Sequence, residues 1–300
     1  MDGSTGCWSL RGGEEGYPRP LADLGEPAPP PLHGAGRRGA VERLDPEATV
    51  TIVGARRASA YGLRVAEALG RDLALAGVTV VSGMARGIDA AAHRGALAAG
   101  GTTIAVLANG PDIVYPPLHR RLYAQILAAG AAISEYPPGT TPRSYFFPAR
   151  NRIMAALGRA VVIVEASQPS GSLITAEVAS RLGRTVGAVP GQVGARIAEG
   201  TNGLIKDGAH LIRHGRDVLD LLYGVECPRR HVGPALEPEL REVLDAVESG
   251  ATTVDRVIAD ASVGTREAAV ALARLELLGY VAGGQLGSFT RSALEAPPPD

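Results

Sequence analysis

Arginine is the residue type whose placement in this chain could do chemistry. Lysine and arginine together number 30 against 31 acids, and Lys206 is the single lysine, so nearly every cation is a guanidinium. The first cluster is Val53-Gly54-Ala55-Arg56-Arg57-Ala58-Ser59. Gly54 permits close backbone approach, and a helix capped by Ser59 offers free N–H groups beside two guanidiniums, which suits a phosphate. A turn glycine with two solvated arginines is the competing reading, and this loop alone leaves both open. The second cluster, Ser82-Gly83-Met84-Ala85-Arg86-Gly87-Ile88-Asp89, again flanks an arginine with glycines at a helix start. The third runs from Arg143 through Tyr145, Phe146 and Phe147 to Arg150-Asn151-Arg152. Between Arg143 and Arg159 there are four arginines and no acid, and two of the three phenylalanines are adjacent. Arginine interleaved with aromatics suits single-stranded nucleic acid, whose bases stack on rings while guanidiniums meet phosphates. The fourth, Ser170-Gly171-Ser172 followed by Thr175 and Glu177, is a further helix start suited to an anion, and Pro190-Gly191-Gln192 with Gly200-Thr201-Asn202-Gly203 adds a fifth polar, glycine-rich edge. Several phosphate-suited helix starts favour an extended polyanion over one small cofactor.

Other chemistries have weaker support. No Gly-x-Gly-x-x-Gly is present, and no acid about 20 residues on ends a second strand, so a dinucleotide fingerprint is absent. Asp89 and His93 could share a metal on one helix face, but no third or fourth ligand is near in sequence, and a helix-start role for Asp89 is simpler. Ser170 is not within Gly-x-Ser-x-Gly and has no histidine in a triad position, which argues against a serine nucleophile. Cys7 and Cys227 are too far apart for a Cys-x-x-Cys motif. No apolar run reaches 18 residues and no secretory leader is recognisable, so the expectation is a cytoplasmic protein without metal or cofactor. A net charge of −1 excludes a chain coated in cations; a nucleic-acid site must be a local concentration of arginine.

The elements that must position these loops follow from periodicity. Residues 1–47, with Pro18, Pro20 and Pro29 to Pro31, read as a largely unstructured lead-in. From residue 48, short β-branched or apolar runs alternate with helical patterns: strands near Val50 to Val53, Val78 to Val81, Thr102 to Leu107, Ala131 to Ser134, Ala160 to Val164 and Thr185 to Val189, with helices between them. That alternation predicts an α/β fold over 48–223, a doubly wound, mostly parallel Rossmann-like sheet covered on both faces. A linker over 224–236 precedes a different pattern. Helices at Pro238 to Val247, Val254 to Asp260 and Arg266 to Leu278 lead to a glycine-turned hairpin, a winged-helix arrangement over 237–292, before a disordered tail at 293–300. The stripe Ala269, Leu272, Leu275 and Leu278 is expected to pack the third helix. That helix would be the duplex reader, but it offers only Arg266 and Arg274 against Glu267 and Glu276, which favours a protein contact or weak DNA role.

The ordered motifs resemble the DNA-processing protein DprA (Smf) family. They are the loop ending at Arg56, the run from Ser82 to His93, Phe147-Pro148-Ala149-Arg150-Asn151-Arg152, Glu165, Ser170 to Ala176, Pro190-Gly191 and Gly200 to Ile205. The resemblance covers about 48–222, and 237–292 is similar to the winged-helix domain that often ends such proteins. It implies a non-catalytic recombination mediator that binds and protects single-stranded DNA without sequence preference. It also implies a homodimer that brings the recombinase RecA onto incoming strands in natural transformation. The expected nucleic-acid-binding residues are Gly54, Arg56, Arg57, Ser59, Ser82, Gly83, Arg86, Gly87, Phe147, Arg150, Asn151, Arg152, Ser170, Gly171, Ser172 and Thr175. Two departures from the family's pattern are visible: residues 1–47 are too short and proline-rich for the usual N-terminal helical domain, and Tyr115-Pro116 is followed by Pro117 rather than a cation. The alternative is a nucleotide phosphoribohydrolase on a related sheet, with Glu177 assisting glycosidic cleavage; the Pro-Gly-Gly-x-Gly-Thr-x-x-Glu signature of those enzymes is missing.

Overall fold

The computed structural model describes residues 6–25, 29, 31–224, 231–232, 236–261, 263–284, 288–291 and 294–295. They divide into two compact units, Met1–Cys227 and Pro228–Asp300.

The first unit is built on one nine-stranded sheet. Its strands are β1 (Cys7–Arg11), β2 (Pro31–Gly36), β3 (Thr49–Val53), β4 (Thr79–Ser82), β5 (Thr103–Val106), β6 (Ala131–Ser134), β7 (Ala160–Ile163), β8 (Thr185–Ala188) and β9 (His210–Leu211), in spatial order β1-β2-β6-β5-β4-β3-β7-β8-β9. From β6 to β9 every pairing is parallel; β1 and β2 are antiparallel additions at one edge. The expectation of an unstructured lead-in over 1–47 is therefore corrected for residues 6–25, 29 and 31–47; residues 1–5, 26–28 and 30 lie outside the described residues. Leu10, Leu21 and Leu32 are fully buried, and Trp8 lies over Gly34 and donates its indole N–H to the Gly36 carbonyl at 3.1 Å. The prolines and glycines that argued against periodicity punctuate a hairpin rather than a loose segment.

The helices are α1 (Arg38–Glu42), α2 (Ala60–Leu75), α3 (Ile88–Ala98), α4 (Arg120–Ala129), α5 (Phe146–Leu157), α6 (Gly171–Arg181), α7 (Glu199–Lys206) and α8 (Gly215–Tyr223). Alternate strand residues face opposite layers, as the pleat requires. Val161 and Ile163 join Ile153, Leu157 and Ala176 on one face, whereas Val162 joins Val50, Ile52, Leu69 and Val218 on the other. The central strands are apolar on both faces because both are covered. From β3 the chain winds outward through β4, β5 and β6, then returns to place β7 on the other side of β3. That reversal opens a crevice beyond the carboxyl ends of β3 and β7.

The second unit contains α9 (Pro238–Glu248), α10 (Val254–Ala261) and α11 (Thr265–Leu277), the antiparallel pair β11 (Val281–Gly283) and β12 (Phe289–Arg291), and a short parallel pair, β10 (His231–Val232) with β13 (Leu294–Glu295). This is a winged-helix order, enlarged by β10 and β13, which fall where the sequence reading placed a linker and a tail. Residues 225–230, 233–235, 293 and 296–300 of those two segments lie outside the described residues. The buried stripe of α11 is Ala268, Ala271, Leu272 and Leu275, not the expected set beginning at Ala269. Leu272 and Leu275 of the expected stripe are buried, Leu278 is half-buried, and Ala269 is exposed because Ala268 and Ala271, four residues before Leu272 and Leu275, take the core side.

Candidate nucleic-acid interface

A cleft of about 410 Å³ opens in the crevice between β3 and β7. Val53 and Gly54 line it from the end of β3, Ala85 and Asp89 from the loop and helix after β4, Ser144 to Met154 from α5 and its approach, and Ser170 to Thr175 from the start of α6. Glycines let these loops touch. A Cβ on Gly54 would sit 2.8 Å from Ile88 and 2.9 Å from the Glu165 carbonyl, and Gly87, at φ +80°, packs against the Ala55 carbonyl.

Arg56 is the cation that faces the cleft in the open. Its guanidinium lies 4.8 Å from the centroid of Phe147, and Phe147 in turn meets Tyr115 with centroids 5.7 Å apart. Among the described residues no carboxylate pairs with Arg56, Arg57 or Arg86, all three of which are exposed. Opposite, Ser170 caps α6: its hydroxyl oxygen accepts from the Ser172 N–H at 3.3 Å and shares a hydrogen bond with the Ser172 hydroxyl at 2.8 Å. The Asn151 amide donates to the Gly171 carbonyl at 3.0 Å, tying α5 to that turn. Thr175 is fully buried, lines the cleft, and its hydroxyl has no hydrogen-bond partner. Thr175 lies in the second turn of α6, and its hydroxyl keeps hydrogen-bonding capacity that no protein group uses.

Two expected cations have other work. Arg150 is only 4% exposed, and one of its terminal nitrogens donates to the carbonyls of Gly83 at 2.7 Å and Val106 at 2.5 Å. A Cβ on Gly83 would fall 2.3 Å from that guanidinium, so the glycine is the space Arg150 fills. Asp89, also buried, sits 3.9 Å from Arg150 and accepts from the Ala85 N–H at 3.3 Å. Burial lowers the Arg150 pKa to about 10 against the opposing pull of Asp89, and burial raises that of Asp89. Arg150 thus lines the cleft as the post that ties α5 to the segment after β4 and to the end of β5. Arg152 points elsewhere: it grips Glu135 through two bonds of 2.8 Å and does not line the cleft.

Of the four arginines expected to bind nucleic acid in the loops at Arg56, Arg86, Arg150 and Arg152, the last two are corrected, because their guanidiniums are spent on internal partners. Ser82 is corrected likewise, its buried hydroxyl donating to the Ile52 carbonyl at 2.6 Å. Ser59 caps α2 by accepting from the Gly62 N–H at 3.0 Å, and its hydroxyl donates to Glu165 at 2.5 Å. Glu165, 4% exposed, also accepts the Ser59 N–H, so it clamps the loop after β3 to the end of β7. Gly62 leaves room for that carboxylate. Arg57, Arg86 and Gly87 lie beside the cleft without lining it; Gly54, Arg56, Phe147, Asn151, Ser170, Gly171, Ser172 and Thr175 come together in it. Sequence reasoning missed Tyr115 as a ring partner and Glu165 as the clamp. An aromatic before Pro116 in a sheet-edge loop, and an acid directly following a buried strand, were the available signals. Asp89 and His93 do not form a pair: the His93 Nδ1 bonds the Thr103 hydroxyl at 2.7 Å.

Comparison with known proteins places the chain in a family. Residues 9–223 match the family model of DNA recombination-mediator protein A, and residues 228–284 match the DprA winged helix domain. Protein Smf of Synechocystis is 35% identical, with 88% of this chain and 75% of that protein covered; Protein Smf of Escherichia coli is 40% identical, over 78% and 65%. The chain therefore spans about two thirds to three quarters of these relatives' length. The crystal structure of DNA processing protein A from Streptococcus pneumoniae superposes with a TM-score of 0.66 at 39% identity, covering 71% of this chain and 73% of that one. DNA processing protein A from Helicobacter pylori, whose structure is described with its single-stranded DNA binding mode, gives 0.65 at 29% identity, covering 74% and 98%. On this sequence and structural similarity, the chain belongs to the DNA recombination-mediator protein A (DprA/Smf) family.

Proposed function

We propose that this protein binds single-stranded DNA in the cleft between β3 and β7 and acts, without catalysis, as a DNA-processing mediator of recombination. The observation that carries the reading is the unpaired Arg56 guanidinium over Phe147, set across the cleft from the Ser170–Ser172 turn and the unpartnered Thr175 hydroxyl. Arg56 and the α6 N–H groups would take phosphates, while the Tyr115–Phe147 rings offer faces on which a base can stack. The chemistry of the cleft favours holding over cutting. The Ser170 and Ser172 hydroxyls bond to each other, and no histidine is among the residues that line it.

Family membership supports the finer reading: a cytoplasmic homodimer that protects incoming strands and helps load RecA during natural transformation. Titrating a labelled oligo-dT strand at several salt concentrations tests the core of it. Binding should be strong at low salt and fall steeply as salt rises. Arg56→Ala should weaken it and reduce the log–log slope by about 0.7, the share of one neutralised phosphate. An absence of strand binding at low salt would remove the proposal.

A further inference from the structure

A second cavity of the first unit, about 510 Å³, lies on the face formed by α2, α3 and α4. Its floor is apolar, with Leu97 and Leu122, and Leu118 stands at its edge 58% exposed. Arg94 and Arg121 line it; Arg86 and Arg120 are exposed on the loop and helix that border it. None of these four arginines has a carboxylate partner among the described residues. Arg38, Arg213, Arg216 and Arg241, by contrast, each hold an acid four residues away. Glu67 is the one carboxylate lining the groove, against two cations inside it and two beside it. On a molecule of net charge −1, this leaves a local positive field over an apolar floor.

Arg86 is the exposed residue between groove and cleft, and buried neighbours fix the two to one frame. Arg86 follows Ala85, which lines the cleft, and Asp89 of the cleft and Arg94 of the groove are five residues apart on α3, about 7.5 Å along its axis. His119, which lines the groove, bonds through Nδ1 to the carbonyl of Met84 in the same loop at 3.0 Å. Burial and the nearby Arg94 and Arg86 lower the His119 pKa, outweighing the opposing Met84 bond and Asp89, so the imidazole adds no charge of its own near neutral pH.

We propose that a single strand held in the cleft continues over Arg86 into this groove, where Arg94 and Arg121 bind its phosphates and Leu118 packs against an unstacked base. The inference rests on the single-strand reading above, and fixes where the strand goes once it leaves the first site. A strand is favoured over an acidic protein segment because Arg86, next to the cleft-lining Ala85, offers an exposed cation between the two sites, which a polyanion already held in the cleft would meet.

The experiment compares strand length. Anisotropy titrations of the full chain use labelled oligo-dT of about six and about twenty-four nucleotides, lengths chosen to fill the cleft alone or to extend beyond it. The double variant R94E/R121E should lose about tenfold or more in affinity for the long strand, with a salt slope reduced by about 1.4, two phosphates at about 0.7 each. Its affinity for the short strand should be unchanged. R94Q/R121Q should show the same pattern more weakly, which covers the case in which charge reversal disturbs folding. Equal losses on both lengths, or no loss on either, overturn the inference, and the second result would favour a protein as occupant of the groove. Arg56→Ala should weaken both lengths; a wild-type chain that binds neither strand sinks the single-strand reading itself, and this inference with it.

Discussion

Arg150 and Arg56 have the same side chain and opposite employment. Arg150 is enclosed by carbonyls of two other loops, so replacing it with alanine strips donors from Gly83 and Val106 and leaves Asp89 buried without its cation. The expected cost is about 3 kcal/mol or more, measured by urea unfolding. Arg152→Gln, by contrast, should leave strand affinity and its salt slope unchanged, because its guanidinium is committed to Glu135 outside the cleft. A gel-shift comparison with Arg56→Ala separates the two roles. His93 carries a third prediction at this scale. It is fully buried, and burial lowers its pKa to about 3, with the charges of Arg150, His119 and Arg94 adding to that shift. An unfolded histidine titrates near 6.5, so the unfolded state takes up the proton first and stability must fall as pH drops below that value. Between about pH 6.5 and 5 the loss should be about 1.6 kcal/mol, and His93→Gln should flatten it. Asp89, whose pKa burial raises, acts in the opposite direction, and His119 and His33, whose pKa values burial lowers, act in the same one, so the difference between the wild-type chain and His93→Gln is what isolates His93.

At the scale of elements, α2 depends on its first residue. Ser59 caps it and is in turn gripped by Glu165, so one hydroxyl joins helix start, loop and neighbouring strand. Ser59→Ala should cost about 1 to 2 kcal/mol in a thermal melt, at the upper end of capping losses because a buried carboxylate also loses a donor. The strands, helices and their order were legible in the sequence because apolar runs and capping residues are local signals. The hairpin of β1 and β2 was not, since its burial depends on Trp8 covering Gly34, residues 26 apart, amid prolines that locally argue for loop. The cleft was legible as a set of loops. Which arginines would remain free was not, because the carbonyls that claim Arg150 lie 67 and 44 residues away. In the second unit, α11 turns Arg266, Val270, Ala273 and Leu277 outward, with Leu277 88% exposed, while Arg274 is held by Glu237 at 2.9 and 3.0 Å. That face is poor in free cations for a duplex reader, in keeping with a protein contact.

For the whole molecule, the division into two units makes a separate prediction. The cleft and the groove both draw all their lining residues from Met1–Cys227. Removing 228–300 should therefore leave single-strand affinity unchanged in the same titrations, and a large loss would mean that the second unit contributes directly to the strand. The position of β7 beside β3 has a consequence in time as well as space. The cleft's walls come from the segment at Arg56 and the segment at Ser170, 114 residues later. On a translating ribosome those walls emerge roughly 6 to 20 s apart at ordinary elongation rates. A nascent chain carries its arginine wall exposed through that interval, and acquires a grip on polyanions only when the later half of the sheet closes against the earlier one.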